Sequence, residues 1–381
     1  MFFAPQSIIN FINISVEVQT VRDKLSVLKE YFGHDSFREG QDRITDSLHG
    51  GRDVLGIMPT GAGKSICYQV PAVMFDGISI VVSPLISLMK DQVSALVQSG
   101  VAAAYINSSL THAQYLKVLQ NTESGKYKII YVAPERLCAP AFLGICRNLN
   151  ISMVAVDEAH CVSQWGQDFR PSYLKIPDFI DALNSRPVVG AFTATATGAV
   201  RDDIKTLLRL VSPLVVTTGF DRPNLFFSVM QPKNKSIELM KLIKERKNES
   251  GIVYCSTRKA VEEVCELLQK NGFVATRYHA GLDENERRRN QDDFVYDRAT
   301  IMVATNAFGM GIDKSNVSFV IHYNMPKNME SYYQEAGRAG RDGRSADCIL
   351  LYSAKDVRTN QFLINNSEPN LCLIQICRWL L

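Results

Sequence analysis

Lys64 and Ser65 follow three small residues, Gly61-Ala62-Gly63, and that order suits one kind of chemistry. Residues without bulk let backbone N–H groups close around phosphate oxygens, and a helix starting at the lysine adds its own donors and the positive end of its dipole. Thr60, Gly61, Ala62 and Gly63 then form the cradle, and Lys64 reaches the β and γ phosphates. Ser65 offers a hydroxyl to Mg²⁺, a hard cation that takes oxygen ligands. The general phosphate-loop pattern has a glycine five residues before Gly63, where this chain has Met58, so the match is partial. A second stretch supplies the acids. Asp157-Glu158-Ala159-His160 follows the apolar run Ile151–Val156, which puts two carboxylates at the carboxyl end of a strand. Asp157 is suited to the Mg²⁺ shell and Glu158 to orienting and deprotonating a water, the little that in-line phosphoryl transfer asks of a protein beyond positioning and neutralised charge. Alone, the first stretch also fits a glycine-rich turn, and the second a solvated strand end.

Two further groups of residues bear on the same chemistry. His34-Asp35-Ser36-Phe37-Arg38-Glu39-Gly40-Gln41 is a candidate base-recognition patch. The His34 ring can stack on adenine, and the Gln41 amide can both donate to and accept from the adenine edge; a surface helix cap has similar composition. Far along the chain, Gln334-Glu335-Ala336-Gly337-Arg338-Ala339-Gly340-Arg341 reads as helical, with Arg338 and Arg341 on one face. An arginine brought across a domain cleft can neutralise transition-state charge, whereas a basic helix face in solvent is the plainer alternative.

The elements that position these groups follow from the apolar pattern. Runs at 77–84, 102–107, 127–134, 151–157 and 187–195 alternate with helical stretches, and the rhythm restarts at 225–230, 251–256, 273–279, 299–305, 317–323 and 347–353. That alternation predicts an α/β fold of two domains, each a mostly parallel sheet with helices on both faces. The expected division is an N-terminal segment over 1–24, a first domain over 25–216, a connector over 217–224, a second domain over 225–356 and the start of a helical region over 357–381. At 381 residues and 46% hydrophobic content the chain is long enough for two such cores and is neither disordered nor fibrous. A formal charge of +3 leaves any polyanion contact to local arrangement. Nine scattered cysteines without CxxC spacing read as reduced residues of an intracellular protein, and no leader or membrane segment is expected.

These segments together resemble the RecQ family of superfamily 2 DNA helicases, over roughly residues 25 to 360. The resemblance is carried by Phe32-Gly33 with Phe37-Arg38 and Gln41, the Gly61–Ser65 loop, Ser83–Gln92, Tyr131–Leu137 and the Asp157–His160 box. Phe192–Ala196, Tyr278–Leu282, Ala304-Thr305 with Phe308–Asp313, and Gln334 with Arg338 and Arg341 complete it. Its most specific stretch is Cys161–Pro171, which looks like the family's aromatic-rich loop. The resemblance implies that Gln164, Trp165, Phe169 and Arg170 couple single-strand binding to hydrolysis, and stacking of a base on Trp165 or Phe169 is worth ~1–3 kcal/mol. It further implies two tandem RecA-like domains, ATP and Mg²⁺ as cofactors, Arg38 in the adenine patch and Gln334 beside the catalytic arginines. The implied activity is 3′–5′ translocation and unwinding in DNA repair, recombination or replication. Single-stranded and partly duplex DNA are the expected partners, with a monomer, no membrane contact and a cytoplasmic, nucleoid-associated or nuclear location.

Three departures stand out: His34 where many relatives have tyrosine, Gln167 where the loop usually carries histidine, and an end at Leu381 where a zinc-binding region is expected to start. Cys372 and Cys377 alone cannot close a tetrahedral site, so no zinc is expected. Competing readings are an RNA-dependent ATPase, a DNA-stimulated ATPase that translocates without unwinding, and an unrelated phosphate-loop kinase or transporter ATPase.

Overall fold

In the computed structural model, residues 23–165, 169–219, 221–308 and 314–366 are described. The apolar runs of the first half form β1 (Val54–Ile57), β2 (Ile78–Val82), β3 (Ala103–Ile106), β4 (Ile129–Val132), β5 (Ile151–Val156), β6 (Val188–Thr193) and β7 (Leu214–Thr217). They pair in parallel in the order β3-β4-β2-β5-β6-β1-β7. Every residue of β1, β2, β4 and β6 is buried, as expected of parallel strands covered by helices on both faces. Alternate side chains feed two cores. Leu55, Ile57, Val154 and Val156 pack with Phe142 and Phe179 on one face, and Val54, Met153 and Phe192 pack with Ile44, Leu48 and Tyr68 on the other.

The second half repeats the plan with β8 (Leu225–Met230), β9 (Ser250–Tyr254), β10 (Ala275–Tyr278), β11 (Ile301–Ala304), β12 (Val317–His322) and β13 (Ala346–Leu351). Their parallel order is β10-β11-β9-β12-β13-β8. Two cores again flank the sheet, one built on Val253, Phe319 and Ile321 and the other on Ile252, Met302 and Phe308.

Three sequence expectations change. The strand β7 was not expected; it lies half exposed on the sheet edge, so it lacks the continuous buried run that marks the inner strands. The helix Met329–Ala336 stops before the arginines, because Gly337 caps it and Gly340 turns with φ +57°, so Arg338 and Arg341 lie in a turn rather than on one helix face. The helix Ala354–Asn366 begins ahead of the expected boundary at 357. Residues 1–22 of the N-terminal segment, Gln167, and residues 367–381 with Cys372 and Cys377 fall outside the described residues, and with the two cysteines goes the expectation about zinc. No described helix is long and apolar enough to cross a membrane.

Candidate active site

The phosphate loop leaves β1 between β6 and β7 and runs into the helix Lys64–Met74. Met58 continues the strand, its N–H donating to the Thr193 carbonyl at 3.0 Å and its side chain wholly buried, so this position needs no glycine freedom. Gly61 and Gly63 do need it, at φ +85° and +78°. A Cβ on Gly63 would also stand 2.6 Å from the Gln41 Nε2. Lys64 curls back and donates from Nζ to the Met58 carbonyl at 3.2 Å, and Ser65 hydrogen-bonds the Tyr68 side chain.

Arg38 and Gln41 brace this loop from outside. Arg38 Nη1 donates to the Gly61 carbonyl at 2.7 Å, and Gln41 Nε2 donates to the carbonyls of Ala62 at 2.9 Å and Gly63 at 3.1 Å. The Gln41 Oε1 accepts from the Arg38 N–H at 2.9 Å. Both ends of the amide that the sequence assigned to adenine are thus engaged with protein, while His34 is exposed on the turn after the helix Lys24–Phe32.

The carboxylates stand at the end of β5. Asp157 is buried and accepts from the Glu158 N–H at 3.0 Å, and burial, then the neighbouring Glu158 charge, push its carboxyl up to about 7 against the pull of Lys64. Glu158 adopts φ 47°, rare for a residue with a side chain, and its Oε2 has no hydrogen-bond partner. It lies 3.4 Å from His160 Nδ1, which is 2.9 Å from the Thr193 hydroxyl. Thr193 donates onward to the Thr195 carbonyl at 2.9 Å, so the box is tied to the end of β6.

The second domain closes on this loop. A cleft of about 300 Å³ is lined by Arg38, Pro59, Gly61 and Ala62 on one wall and by Asn224, Gly340 and Arg341 on the other, with Arg222 of the connector between them. Arg341 Cγ lies 3.7 Å from where a Cβ on Gly61 would be. Arg338 does not share the cleft; it is buried, and its guanidinium hydrogen-bonds Tyr254. Gln334 is half-buried on the last turn of the helix Met329–Ala336. Arg222 escaped the sequence reading, where its signal was only a charged pair, Asp221-Arg222, before Pro223 in the connector. It donates to the Thr60 carbonyl at 3.0 Å and to those of Ala339 and Gly340 at 3.1 and 2.9 Å.

Gln164 and Trp165 are exposed, Trp165 by 52%, while Phe169 and Arg170 are half-buried. The base of their loop is pinned: the Arg170 N–H donates to the Cys161 carbonyl at 2.8 Å, and the Ser163 hydroxyl donates to Asp203 at 2.5 Å. Arg170 Nη1 reaches the Pro84 carbonyl at 3.2 Å, and just beyond, the Tyr173 hydroxyl donates to the main-chain carbonyl of Asp157 at 2.9 Å. Asp203 and Tyr173 carry no local sequence signal, because their partners lie far away along the chain.

Residues 38–204 match the model of the DEAD/DEAH box helicase family and residues 234–343 that of the helicase conserved C-terminal domain. The chain is 49% identical over 344 residues to the ATP-dependent DNA helicase RecQ of Bacillus subtilis, covering 90% of this chain and 58% of that protein. It is 44% identical over 340 residues to the ATP-dependent DNA helicase RecQ of Pasteurella multocida, covering 89% of this chain and 54% of that one. The chain thus spans little more than half the length of these relatives. The solved structure of the DEAD-box helicase Mss116 bound to ssRNA and UDP-BeF superposes with a TM-score of 0.75 at 17% identity, over 94% of this chain and 78% of that one, a likeness of fold.

Proposed function

The chain belongs to the RecQ family of DNA helicases, and on that premise we propose that it is the two-domain motor of an ATP-dependent 3′–5′ DNA helicase. The observation that carries the proposal is the approach of Arg341, from the second domain, to Gly61 of the phosphate loop in the first. An unrelated phosphate-loop kinase or transporter ATPase leaves the arginine turn of the second domain unexplained, whereas a translocating motor needs two walls that grip one triphosphate and release it.

In this reading Gly61, Ala62, Gly63 and Lys64 bind the phosphates, and Lys64 exchanges the Met58 carbonyl for phosphate oxygens. Ser65 and Asp157 are the residues that would hold Mg²⁺, which when bound neutralises charge on those oxygens. The donor set fits. Asp157 is buried and its carboxyl raised to about 7, so it is a group whose ionised form an added cation would favour. Glu158 orients and deprotonates the attacking water with the oxygen that lacks a partner, and Arg341 neutralises charge as the transition state forms. Arg338 needs the turn to move before it can join. Arg38, Gln41 and His34 form the adenine side, with Gln41 released from the loop when the base arrives. Gln164, Trp165, Phe169 and Arg170 contact single-stranded DNA, and the bond from Tyr173 to Asp157 supports a route from that contact to the carboxylates.

Hydrolysis and strand separation measured side by side test the whole reading. A duplex with a 3′ single-stranded tail should stimulate ATP hydrolysis and be unwound, and one with a 5′ tail should not be unwound. Stimulation by RNA in preference to DNA, or hydrolysis without strand separation on the 3′-tailed duplex, would overturn it.

A further inference from the structure

We propose that Arg222 is a positioning residue for Arg341: its guanidinium clips the turn that carries Arg341 to the phosphate loop, so that Arg341 reaches the triphosphate already aimed. The inference deepens the functional reading above and rests on it.

Arg222 belongs to neither sheet. It sits in the connector between β7 and β8, where the following Pro223 restricts the backbone and fixes its direction. One nitrogen of its fork serves the phosphate loop, Nη1 donating to Thr60; the other serves the arginine turn, Nη2 donating to Ala339 and Gly340. The Nε donates to Asn224 Oδ1 at 3.3 Å, and Asn224 Nδ2 itself donates to the carbonyls of Gly340 at 2.8 Å and Arg344 at 2.9 Å. The arginine turn is therefore held by two neighbouring connector residues, and one of them also holds the loop opposite. A planar fork with donors on several edges can bridge two loops in this way, whereas an ammonium group presents its donors from one point.

Both loops are shaped to admit the clip. A Cβ on Gly61 would stand 3.0 Å from Arg222 Nη1, and a Cβ on Gly340 would stand 2.5 Å from Asn224 Nδ2. Glycine at these two positions thus serves a close approach as well as a positive φ. Every acceptor of the Arg222 Nη atoms named here is a neutral main-chain carbonyl, so the clip fixes geometry without spending a carboxylate at the edge of an anion site. Arg38 spends its own Nη1 on Gly61 in the same manner. Of these two bracing arginines, Arg222 is the one whose fork also holds the turn that carries Arg341.

The test is steady-state ATP hydrolysis at saturating single-stranded DNA by Arg222→Ala, Arg222→Lys, Arg341→Ala and the double variant Arg222→Ala with Arg341→Ala. Misaimed catalytic groups cost about tenfold to a hundredfold, so Arg222→Ala should lose that much in kcat while the KM for ATP moves less than about threefold. Arg222→Lys should recover little. The double variant should be no slower than Arg341→Ala alone, since nothing then remains to be aimed. An unchanged kcat, a raised KM at full kcat, or losses that multiply in the double variant would overturn the proposal. Small-angle scattering of the nucleotide-free Arg222→Gln protein supplies an arm that does not depend on activity: its radius of gyration should exceed that of the wild type, and an identical value would overturn the clip. A wild type that shows no DNA-stimulated hydrolysis would sink the functional reading instead, leaving the scattering result to judge the clip by itself.

Discussion

Asp157 is the buried carboxyl of the candidate site. Burial and Glu158 raise it from an ordinary 3.8 to about 7, so the folded protein keeps a proton that the unfolded chain gives up. Its contribution to stability is therefore complete below about pH 4 and disappears as the pH rises through 7. Asp157→Asn, which removes the buried charge, should stabilise the nucleotide-free protein at about pH 8 by on the order of 1–3 kcal/mol and change little at about pH 4. Urea unfolding at the two pH values measures this; equal effects at both would contradict the burial argument. Adding Mg²⁺ and ATP should stabilise the wild type at the higher pH and the variant much less. The place of this residue at the end of a strand was legible in the sequence, because a short acid pair after an apolar run is a local pattern. Its protonation was not, since that depends on burial and on Lys64, which is distant in the chain.

At the scale of elements, what the sequence conveys divides by how local the cause is. The strand runs, the phosphate loop and the acid box each depend on adjacent residues, and each could be read directly. The edge strand β7 depends instead on Asp53, whose carboxylate accepts from Arg186 Nη2 at 2.6 Å, the Val189 N–H at 2.9 Å and the Val211 N–H at 2.7 Å. No periodicity announces such a knot. The helix expected through Arg341 failed for the opposite reason: composition favoured it, but two glycines ended it early. The aromatic loop combines both kinds of cause, with its rings evident in the sequence and its anchors, Asp203 and Tyr173, apparent only in three dimensions. Because stacking on one ring is worth ~1–3 kcal/mol, Trp165→Ala should raise the DNA concentration giving half-maximal ATPase stimulation by about tenfold. It should also lower the stimulated rate more than the DNA-free rate. Equal losses in the two rates would show that Trp165 supports the fold rather than the coupling.

For the molecule as a whole, two parallel sheets would act as a motor only if the cleft between them changes with its contents. The two walls of the cleft stand in register: Arg341 lies against Gly61, Arg222 bonds both sides, and Lys64 donates to the Met58 carbonyl. Under the proposed motor, loading the cleft would need only local exchanges of partner beside the connector, and emptying it would reverse them, turning small movements into steps along a strand. The measurement that bears most directly on this account is single-turnover ATP hydrolysis by Arg341→Ala with saturating single-stranded DNA, beside equilibrium binding of a fluorescent ATP analogue. An arginine acting across a cleft predicts a rate lower by about a thousandfold, with binding largely kept. Hydrolysis at the wild-type rate would contradict the claim that both domains act on one triphosphate.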